Sequence, residues 1–320
     1  MAKTALICGV SGQDGAYLSR LLLGKGYKVI GTSRDAQAAS FERLERLGIR
    51  QEVETTSMTL TDFRSVLQTL SLHQPDEIYN LAGQSSVGLS FELPVETLES
   101  IASASLNLLE SLRFLGGQVR LYNASSSECF GDAGGTACDE QQPFRPRSPY
   151  AVAKATAHWQ VINYREAYGL YASNGILFNH ESPLRPSRFV SKKIIQAACR
   201  IVDGSAERLR LGNLEIQRDF GWAPEYVDAM WKILQLEQSY DVVIATGETH
   251  SLRDFCEVAF SEVGLDWQDY VDIDESLYRP SEHMISRANP ARAKELLDWE
   301  AEMKMPQVVA AMISAERQRP

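Results

Sequence analysis

The sequence lacks the features that mark secreted, metal-binding and membrane proteins. Its 320 residues include five cysteines, an odd number without a CxxC pair, so we predict neither a disulfide framework nor a metal site. No apolar run approaches the roughly 20 residues of a membrane-spanning helix. Acids outnumber bases by 42 to 32, and the formal charge of −10 disfavours nucleic acid and anionic membranes as partners.

The residues that are present supply enough apolar material for a large core. Hydrophobic residues make up 44% and charged residues 23% of the chain, whose length suits about two domains. The apolar run 4–10 has no small-residue cleavage site, so we predict a buried first strand rather than a signal sequence. Free thiols indicate a reducing compartment, and we therefore expect a cytoplasmic protein.

Short apolar runs alternate with longer amphipathic stretches through the first half of the chain, which predicts parallel strands connected by helices. The expected fold class is α/β, with a Rossmann-like doubly wound parallel sheet and a smaller C-terminal substrate-binding domain. Predicted strands cover residues 5–10, 28–32, 52–56, 77–81, 119–124, 173–178 and 241–246. Predicted helices cover residues 15–24, 38–47, 61–72, 95–115, 149–168, 188–203, 251–263, 291–298 and 306–316.

The two domains are expected to interleave, because no low-complexity linker separates them. We assign residues 1–178 plus 223–250 to a dinucleotide-binding domain, and residues 179–222 plus 251–320 to a nucleotide-sugar substrate domain. Ser251 and Asp254 have the spacing of a capping box, which predicts the start of a helix there.

Gly9, Gly12 and Gly15 form a glycine-rich loop between the first predicted strand and the first predicted helix. Glycines let the backbone turn sharply and approach a pyrophosphate, while the helix N-terminus supplies amide donors, so we predict a dinucleotide site. After the second strand, Arg34 favours the extra phosphate of NADP, whereas Asp35 beside it favours the ribose hydroxyls of NAD. NADP is the predicted cofactor, and NAD stays open.

Tyr150 and Lys154 lie four residues apart in a predicted helix, so their side chains share one face. A lysine ammonium near a phenol is expected to lower the phenol's pKa from about 10 towards neutrality, which would make Tyr150 a general base. The pair follows the fifth predicted strand, and a doubly wound sheet places its site at the carboxyl ends of its strands.

Ser126 and Glu128 lie just past that same strand. Residues two apart in extended backbone point the same way, so both side chains are expected to project towards the cofactor. A serine hydroxyl can hydrogen-bond a sugar oxygen that is becoming a ketone, and a glutamate can remove a proton from the neighbouring carbon.

Together these motifs resemble the extended short-chain dehydrogenase/reductases, and among them the GDP-mannose 4,6-dehydratases. The resemblance is also carried by residues 79–85, 147–154, 175–185, 211–213 and 218–219. Among these segments, the loop from Asn179 to Arg185 best distinguishes this family, because generic members of the superfamily lack it. The similarity extends from residue 4 to about residue 300.

The resemblance implies a lyase mechanism. Tyr150 would take the proton from the sugar 4-hydroxyl while hydride passes to NADP, and Ser126, where threonine is usual, would bond the C4 oxygen. Glu128 would then remove the C5 proton, water would leave from C6, and the hydride would return there to give GDP-4-keto-6-deoxyhexose. Lys154 would hold the nicotinamide ribose, and a homodimer or homotetramer is implied.

The resemblance also implies two sets of binding residues. The cofactor-binding set is Gly9, Ser11, Gly12, Gln13, Asp14, Gly15, Arg34, Thr59, Leu60, Leu81, Ala82, Tyr150, Lys154, His180 and Arg185. The substrate-binding set is Ser85, Ser126, Glu128, Asn179, Val190, Lys193, Leu211, Gly212, Arg218, Arg279 and Glu282.

The sequence departs from the family pattern at four places near these sets. Arg34 is followed by Asp35 where paired arginines are usual, and Thr59 occupies a position where an acid is usual. Gly83 replaces an alanine beside the cofactor, and His283-Met284 replace the usual Val-Asp. A GDP-manno-heptose dehydratase would share nearly all of the motifs. A nucleotide-sugar epimerase or reductase would not need Glu128, and a cofactor-sensing protein would be expected to lack the Tyr-Lys pair.

Overall fold

The computed structural model of the chain describes residues 2–318, in which short strands alternate with helices. The strands are β1 Thr4–Cys8, β2 Lys28–Ser33, β3 Glu54–Ser57, β4 Glu77–Asn80, β5 Arg120–Ser126, β6 Ala137–Cys138, β7 Ala172–Leu177, β8 Asn179–Glu181, β9 Leu209–Leu211, β10 Gln217–Arg218, β11 Phe220–Trp222, β12 Asp241–Ile244, β13 His250–Ser251, β14 Val271–Ile273 and β15 Arg287–Ala288. The helices are α1 Gln13–Gly24, α2 Glu42–Arg46, α3 Phe63–His73, α4 Val87–Glu92, α5 Pro94–Leu98, α6 Ala104–Leu115, α7 Pro149–Tyr168, α8 Val190–Val202, α9 Ala223–Ile233, α10 Leu252–Ser261, α11 Ala291–Leu297 and α12 Met305–Arg317.

Seven of the strands form one parallel sheet in the order β3-β2-β1-β4-β5-β7-β12. The chain moves outward from β1 to β3 and then crosses to β4 on the other side of β1, so the strand order reverses between β1 and β4. This arrangement confirms the predicted Rossmann-like doubly wound α/β fold. A sheet of this kind binds ligands at the carboxyl ends of its strands, beside the reversal point.

Both faces of the sheet are buried, as the alternation along β1 illustrates. Ala5 and Ile7 pack on one face into a core that includes α1 and α9, while Leu6 and Cys8 pack on the other face with α3 and α6. Successive strand residues point to opposite faces, so a strand covered by helices on both sides has to be apolar throughout.

A smaller apolar core lies in the C-terminal part of the chain. It is formed by α8, α10 and α12 together with the β9–β14 pair, around buried side chains such as Ile195, Phe255 and Met312. Helix α11 packs instead against β12 and α9. The division into residues 1–178 plus 223–250 and 179–222 plus 251–320 stays a prediction.

The helix predictions were wrong in three places. The predicted helix 38–47 is reduced to α2, because the Asp35 carboxylate accepts hydrogen bonds from the amides of Gln37 and Ala38 and holds a turn there. Helices α4 and α9 were missed. In contrast, α7 has the predicted bounds, and the capping box between Ser251 and Asp254 is confirmed.

All five cysteines are buried and unpaired, so the chain has no disulfide framework. Burial raises the pKa of the Cys8 thiol to about 12, and that of Cys129, close to the predicted site, to about 12. Thiols with such pKa values are poor nucleophiles at neutral pH, which indicates a packing role. Separately, none of the helices in residues 2–318 has the length and apolar character needed to cross a bilayer.

Candidate active site

The predicted functional segments meet at the carboxyl edge of the large sheet. The glycine loop follows β1, Arg34 follows β2, and Thr59 with Leu60 follow β3. Leu81 and Ala82 follow β4, the serine-rich segment closes β5, and the 179–185 loop follows β7. Parallel strands present their carboxyl ends at one edge, so residues that are far apart in the sequence share this region.

The backbone of the glycine loop lies so close to neighbouring backbone atoms that Gly9 and Gly15 have no room for a side chain. Gly9 has a positive φ of 86°, and a Cβ there would lie 3.0 Å from the Leu81 carbonyl oxygen. A Cβ on Gly15 would lie 2.4 Å from the Gly9 carbonyl oxygen, which also accepts a hydrogen bond from the Gly12 amide at 3.0 Å. The three glycines therefore allow close contact between backbone segments that a side chain would prevent.

The N-terminus of α1 fits the pyrophosphate of a dinucleotide. Its N-cap is Gly12, which has no side chain to cap the first-turn amides. Those amides and the helix dipole favour an anion at this position. The acid of the first turn, Asp14, does not oppose this because it is paired with His180 at 2.9 Å. The residues of this loop thus suit a nicotinamide dinucleotide.

The Asp14–His180 pair couples the glycine loop to the loop after β7. Burial opposes ionisation of both groups, but the His180 imidazolium and hydrogen bonds from His180 and Gln13 lower the pKa of Asp14 to about 2. Burial likewise acts to lower the pKa of His180, and the Asp14 carboxylate overcomes it, so that this pKa is raised. The second imidazole nitrogen lies 2.8 Å from the Phe178 carbonyl, and the ring stacks on Tyr226.

Further hydrogen bonds join the same two loops. Ser182 donates to the Gln13 side-chain oxygen at 2.7 Å, and the Gln13 amide group donates to the His180 carbonyl at 3.2 Å. Arg43 on α2 donates to the carbonyls of Ser11 and Leu184, each at 2.9 Å. Direct hydrogen bonds therefore hold the glycine loop and the loop after β7 together.

Ser126 and Glu128 come together, but not by the predicted strand geometry. Strand β5 ends at Ser126, and residues Ser127–Phe130 form a 3₁₀ turn, so Glu128 does not continue the extended backbone. Ser126 caps this turn by accepting a hydrogen bond from the Glu128 amide at 3.2 Å. The expectation based on period-two alternation was wrong, because a serine at a strand end favours capping of the turn that follows.

Tyr150 and Lys154 share one face of α7, with the lysine ammonium 5.9 Å from the tyrosine ring centre. Burial raises the pKa of Tyr150, although a hydrogen bond with Ser126 opposes the rise, and burial lowers the pKa of Lys154 to about 8. The Lys154 ammonium donates a hydrogen bond to the Ala124 carbonyl oxygen at 2.7 Å rather than to the tyrosine hydroxyl. The expected lowering of the tyrosine pKa is thus absent here, since desolvation outweighs a lysine at this distance.

Arg218 is a buried cation with unused hydrogen-bonding capacity. Arg218 is 5% exposed, and its Nη1 donates a hydrogen bond to the Gln217 carbonyl oxygen at 2.9 Å. Its Nη2 lies 3.8 Å from Glu282 and makes no hydrogen bond. Arg279 pairs with the same glutamate at 3.2 Å. Burial lowers the pKa of Arg218, and the carboxylates of Glu128 and Glu282 oppose that change. Such a guanidinium suits an anionic ligand such as a diphosphate.

The other predicted binding residues lie around these groups. Arg185 lies 3.1 Å from Glu181 without hydrogen-bond geometry and stacks on the Phe189 ring. Arg34 and Lys193 are exposed, Leu211 is buried, and Ser85 accepts a hydrogen bond from Arg188. The remaining positions are partly buried: Thr59, Leu60, Leu81, Ala82, Asn179, Val190 and Gly212. Their roles stay predictions.

Three residues at the site were not among the predicted set. The Nδ1 atom of His283 lies 3.7 Å from Glu128 Oε2. The sequence analysis identified His283 only as a departure from the family pattern, without a role. Arg43 ties the two cofactor loops, and Tyr226 stacks on His180. Nothing in local spacing marks these three, because each reaches the site from a distant segment of the chain.

Comparison with known proteins gives a match over nearly the whole chain. The sequence profile of the family GDP-mannose 4,6 dehydratase matches residues 6–312. Among individual relatives, GDP-mannose 4,6 dehydratase 2 of Arabidopsis thaliana is 44% identical over 324 aligned residues. That alignment covers 98% of this chain and 87% of the relative.

Solved structures share the fold at lower sequence identity. UDP-glucose 4-epimerase of Thermus thermophilus, in complex with NAD, superposes with a TM-score of 0.86 at 22% identity, covering 98% of this chain and 99% of that one. RMD from Pseudomonas aeruginosa, complexed with NADPH, superposes with a TM-score of 0.80 at 23% identity, covering 100% and 99%. Because these chains differ in name and cofactor, the fold alone does not select a reaction.

Proposed function

Because the chain belongs to the GDP-mannose 4,6-dehydratase family, we propose that it is a lyase that removes water from GDP-mannose to give GDP-4-keto-6-deoxymannose. The observation that carries the proposal is the meeting of Ser126, Glu128 and Tyr150 at the carboxyl edge of the sheet. The Ser126 hydroxyl acts to lower the pKa of the Tyr150 phenol and the Glu128 carboxylate acts to raise it, so both side chains lie near that phenol. A base for a hydroxyl proton and a second base for a carbon proton are what this elimination needs.

In the first half of the reaction, Tyr150 takes the proton of the 4-hydroxyl and Ser126 donates a hydrogen bond to the C4 oxygen. A nicotinamide cofactor, when bound, supplies the hydride acceptor and donor for the reaction. Lys154 lies one helical turn from Tyr150, where its ammonium would hold a ribose and favour the phenolate. The Lys154 charge would oppose the rise that burial causes in the pKa of the Tyr150 phenol.

In the second half, Glu128 takes the proton from C5, which the neighbouring C4 ketone acidifies. The electron pair of the C5–H bond forms a C5–C6 double bond, the C6–O bond breaks, and the hydroxyl leaves as water with a proton from Glu128. One hydride is then added at C6, and the proton that Tyr150 took from the 4-hydroxyl is returned to C5, which completes the product and restores both side chains. The net change is loss of one water, so no external oxidant or reductant is consumed.

The cofactor is a nicotinamide dinucleotide, for which the glycine loop and the α1 N-terminus supply the fit. We favour NADP over NAD because Arg34 is exposed at the carboxyl end of β2, where an adenosine phosphate would lie. The carboxylate of the neighbouring Asp35 accepts hydrogen bonds from two backbone amides in the turn. This carboxylate is therefore less available to bind ribose hydroxyls. His180 and Arg185 are the proposed further cofactor contacts.

The GDP half of the substrate would be bound by the cations of the C-terminal part. Arg218 and Arg279 suit the diphosphate by charge and fork geometry, and Glu282 aligns both of them. Gly212 approaches the Leu277 carbonyl closely, so that a Cβ there would lie 3.3 Å away. The further proposed contacts are Ser85, Asn179, Val190, Lys193 and Leu211.

We also propose that the chain assembles as a homodimer or homotetramer in the cytoplasm. Helix α7 packs against both α5 and α6, and these three helices expose the apolar side chains Leu98, Leu106, Val152 and Trp159. An identical helical face is the partner that such a surface fits best. The cytoplasm is favoured by five buried, unpaired cysteines.

The test is an incubation of purified protein with GDP-mannose and no added cofactor, followed by mass spectrometry and NMR. We expect loss of one water and a 4-keto-6-deoxy sugar, because the cofactor is regenerated in each cycle and co-purifies. A C4 epimer or a reduced sugar would identify the alternative activities on this fold. GDP-manno-heptose in a parallel reaction tests the other proposed substrate. Calorimetry with NADP and NAD, on protein from which the co-purified cofactor has been removed, tests the cofactor preference.

A further inference from the structure

The His283 imidazole lies beside the carboxylate proposed to take the C5 proton. Its Nδ1 atom is 3.7 Å from Glu128 Oε2, and only 5% of the residue is exposed. His283 follows Glu282 in the segment that carries the proposed GDP contacts, whereas Glu128 follows β5 of the large sheet. The contact therefore joins the substrate side of the site to a reacting group.

Burial favours the neutral form of the His283 imidazole. Burial lowers the pKa of His283, the Glu128 carboxylate opposes that change, and nearby arginines reinforce it. A neutral imidazole with its proton on Nδ1 donates to an ionised carboxylate without adding a charge to the site. The other titratable or charged groups facing the pair are Arg218, Arg279, Asp132 and Tyr150.

We propose that His283 is a positioning residue for the elimination step, whose Nδ1–H holds the Glu128 carboxylate in the orientation that takes the C5 proton. This inference rests on the dehydratase function proposed above. The present 3.7 Å separation is about 0.5 Å longer than the upper end of the usual N–H···O range, and catalytic hydrogen bonds are often long until substrate binds. The proposal therefore requires the Glu128 carboxylate to move closer to Nδ1 when substrate is bound.

The test compares the variants His283→Val and His283→Asn. Valine and asparagine have similar volumes, but only asparagine carries an N–H close to the position of Nδ1. We expect His283→Val to lower kcat for GDP-mannose by about 10-fold to 100-fold, because an aligned hydrogen bond to a charged group is lost. His283→Asn should recover most of the rate, and KM should stay within about twofold in both variants.

Deuterated substrates identify the step that slows. With deuterium at C5, the isotope effect on kcat should be larger in His283→Val than in the unmodified protein, because proton removal limits the rate. With deuterium at C4, the effect should be smaller in the variant. A residue that merely supports the fold would slow both steps and leave the ratio of the two effects unchanged.

The matched control is His73→Val, since His73 Nδ1 also lies 3.7 Å from a glutamate, Glu54, but on α3 outside the site. This variant should retain the kcat and both isotope effects of the unmodified protein. Equal kcat and isotope effects in His283→Val and the unmodified, active protein would overturn the positioning role alone. Failure of the unmodified protein to dehydrate GDP-mannose would instead overturn the proposed function.

Discussion

The cofactor side and the GDP side of the site are built in different ways. The cofactor side consists mainly of backbone, a glycine loop and a helix N-terminus close in sequence, with Asp14, His180 and Gln13 bonded to one another. The GDP side consists of side chains from separate segments, and its buried Arg218 has a guanidinium nitrogen without a hydrogen-bond partner. The groups of the first side are already bonded to one another, whereas we propose that an anionic ligand completes the second side.

This difference suits the two ligands. A cofactor that is regenerated in each cycle can stay bound in a tight, preformed cradle. A substrate has to enter and leave as product, so charges that are only partly paired can bind it without a permanent fit. The catalytic groups lie between the two sides, and disruption of each part should therefore produce a separate signature.

The largest effect is expected at the junction, from Tyr150→Phe. Removing the phenolic oxygen removes the base for the 4-hydroxyl, and we expect kcat to fall by about 100-fold to 10,000-fold. Calorimetry should give unchanged Kd values for NADP and GDP, because both sides of the site are intact. Activity within about threefold of the unmodified protein would exclude Tyr150 as the base.

The next variant, Arg218→Met, tests the GDP side alone. Loss of the guanidinium should weaken GDP binding by roughly 30-fold, while the Kd for NADP stays constant. The melting temperature should be maintained, because burial of an incompletely paired cation contributes little to stability. Arg253→Met, at an exposed arginine of α10, is the control. Equal weakening of both ligands would contradict the separation of the two sides.

A complementary variant, Gly15→Ala, tests the cofactor side. Its Cβ would lie 2.4 Å from the Gly9 carbonyl oxygen, so the loop has to shift. We expect a loss of about 1–3 kcal/mol in the free energy of unfolding and at least tenfold weaker NADP binding in calorimetry. Gly24→Ala is the control, since no atom lies within 4 Å of a Cβ there.

The smallest effect is the pH dependence contributed by the Asp14–His180 pair. The pKa of Asp14 is lowered to about 2, so its contribution is present above pH 3.8 and lost as pH falls towards 2. The pKa of His180 is raised, so its contribution is full below pH 6.5 and lost as pH rises through the higher folded value. His180→Gln should cost roughly 1–2 kcal/mol near pH 5 and less near pH 9, as thermal unfolding would measure. An equal cost at both pH values would contradict the ion pair.

The same contrast explains how much could be predicted from the sequence. The glycine loop and α7 were predictable because their signals are local: the spacing of the glycines and apolar residues at steps of three and four. The Glu128 conformation was not, because a cap by Ser126 replaced the expected extended backbone. His283 and Arg43 were missed because tertiary structure alone brings them to Glu128 and to the cofactor loops. Residues whose role depends on one long-range contact leave no periodic signal.

The central claim is an internal redox cycle coupled to loss of water, and one isotopic experiment tests it most directly. GDP-mannose with deuterium at C4 is incubated with the purified protein, and the product is analysed by mass spectrometry and NMR. We predict a 4-keto-6-deoxy sugar that retains the deuterium, now at C6. A dehydrated product without deuterium at C6, or a labelled sugar that has lost no water, would contradict the account.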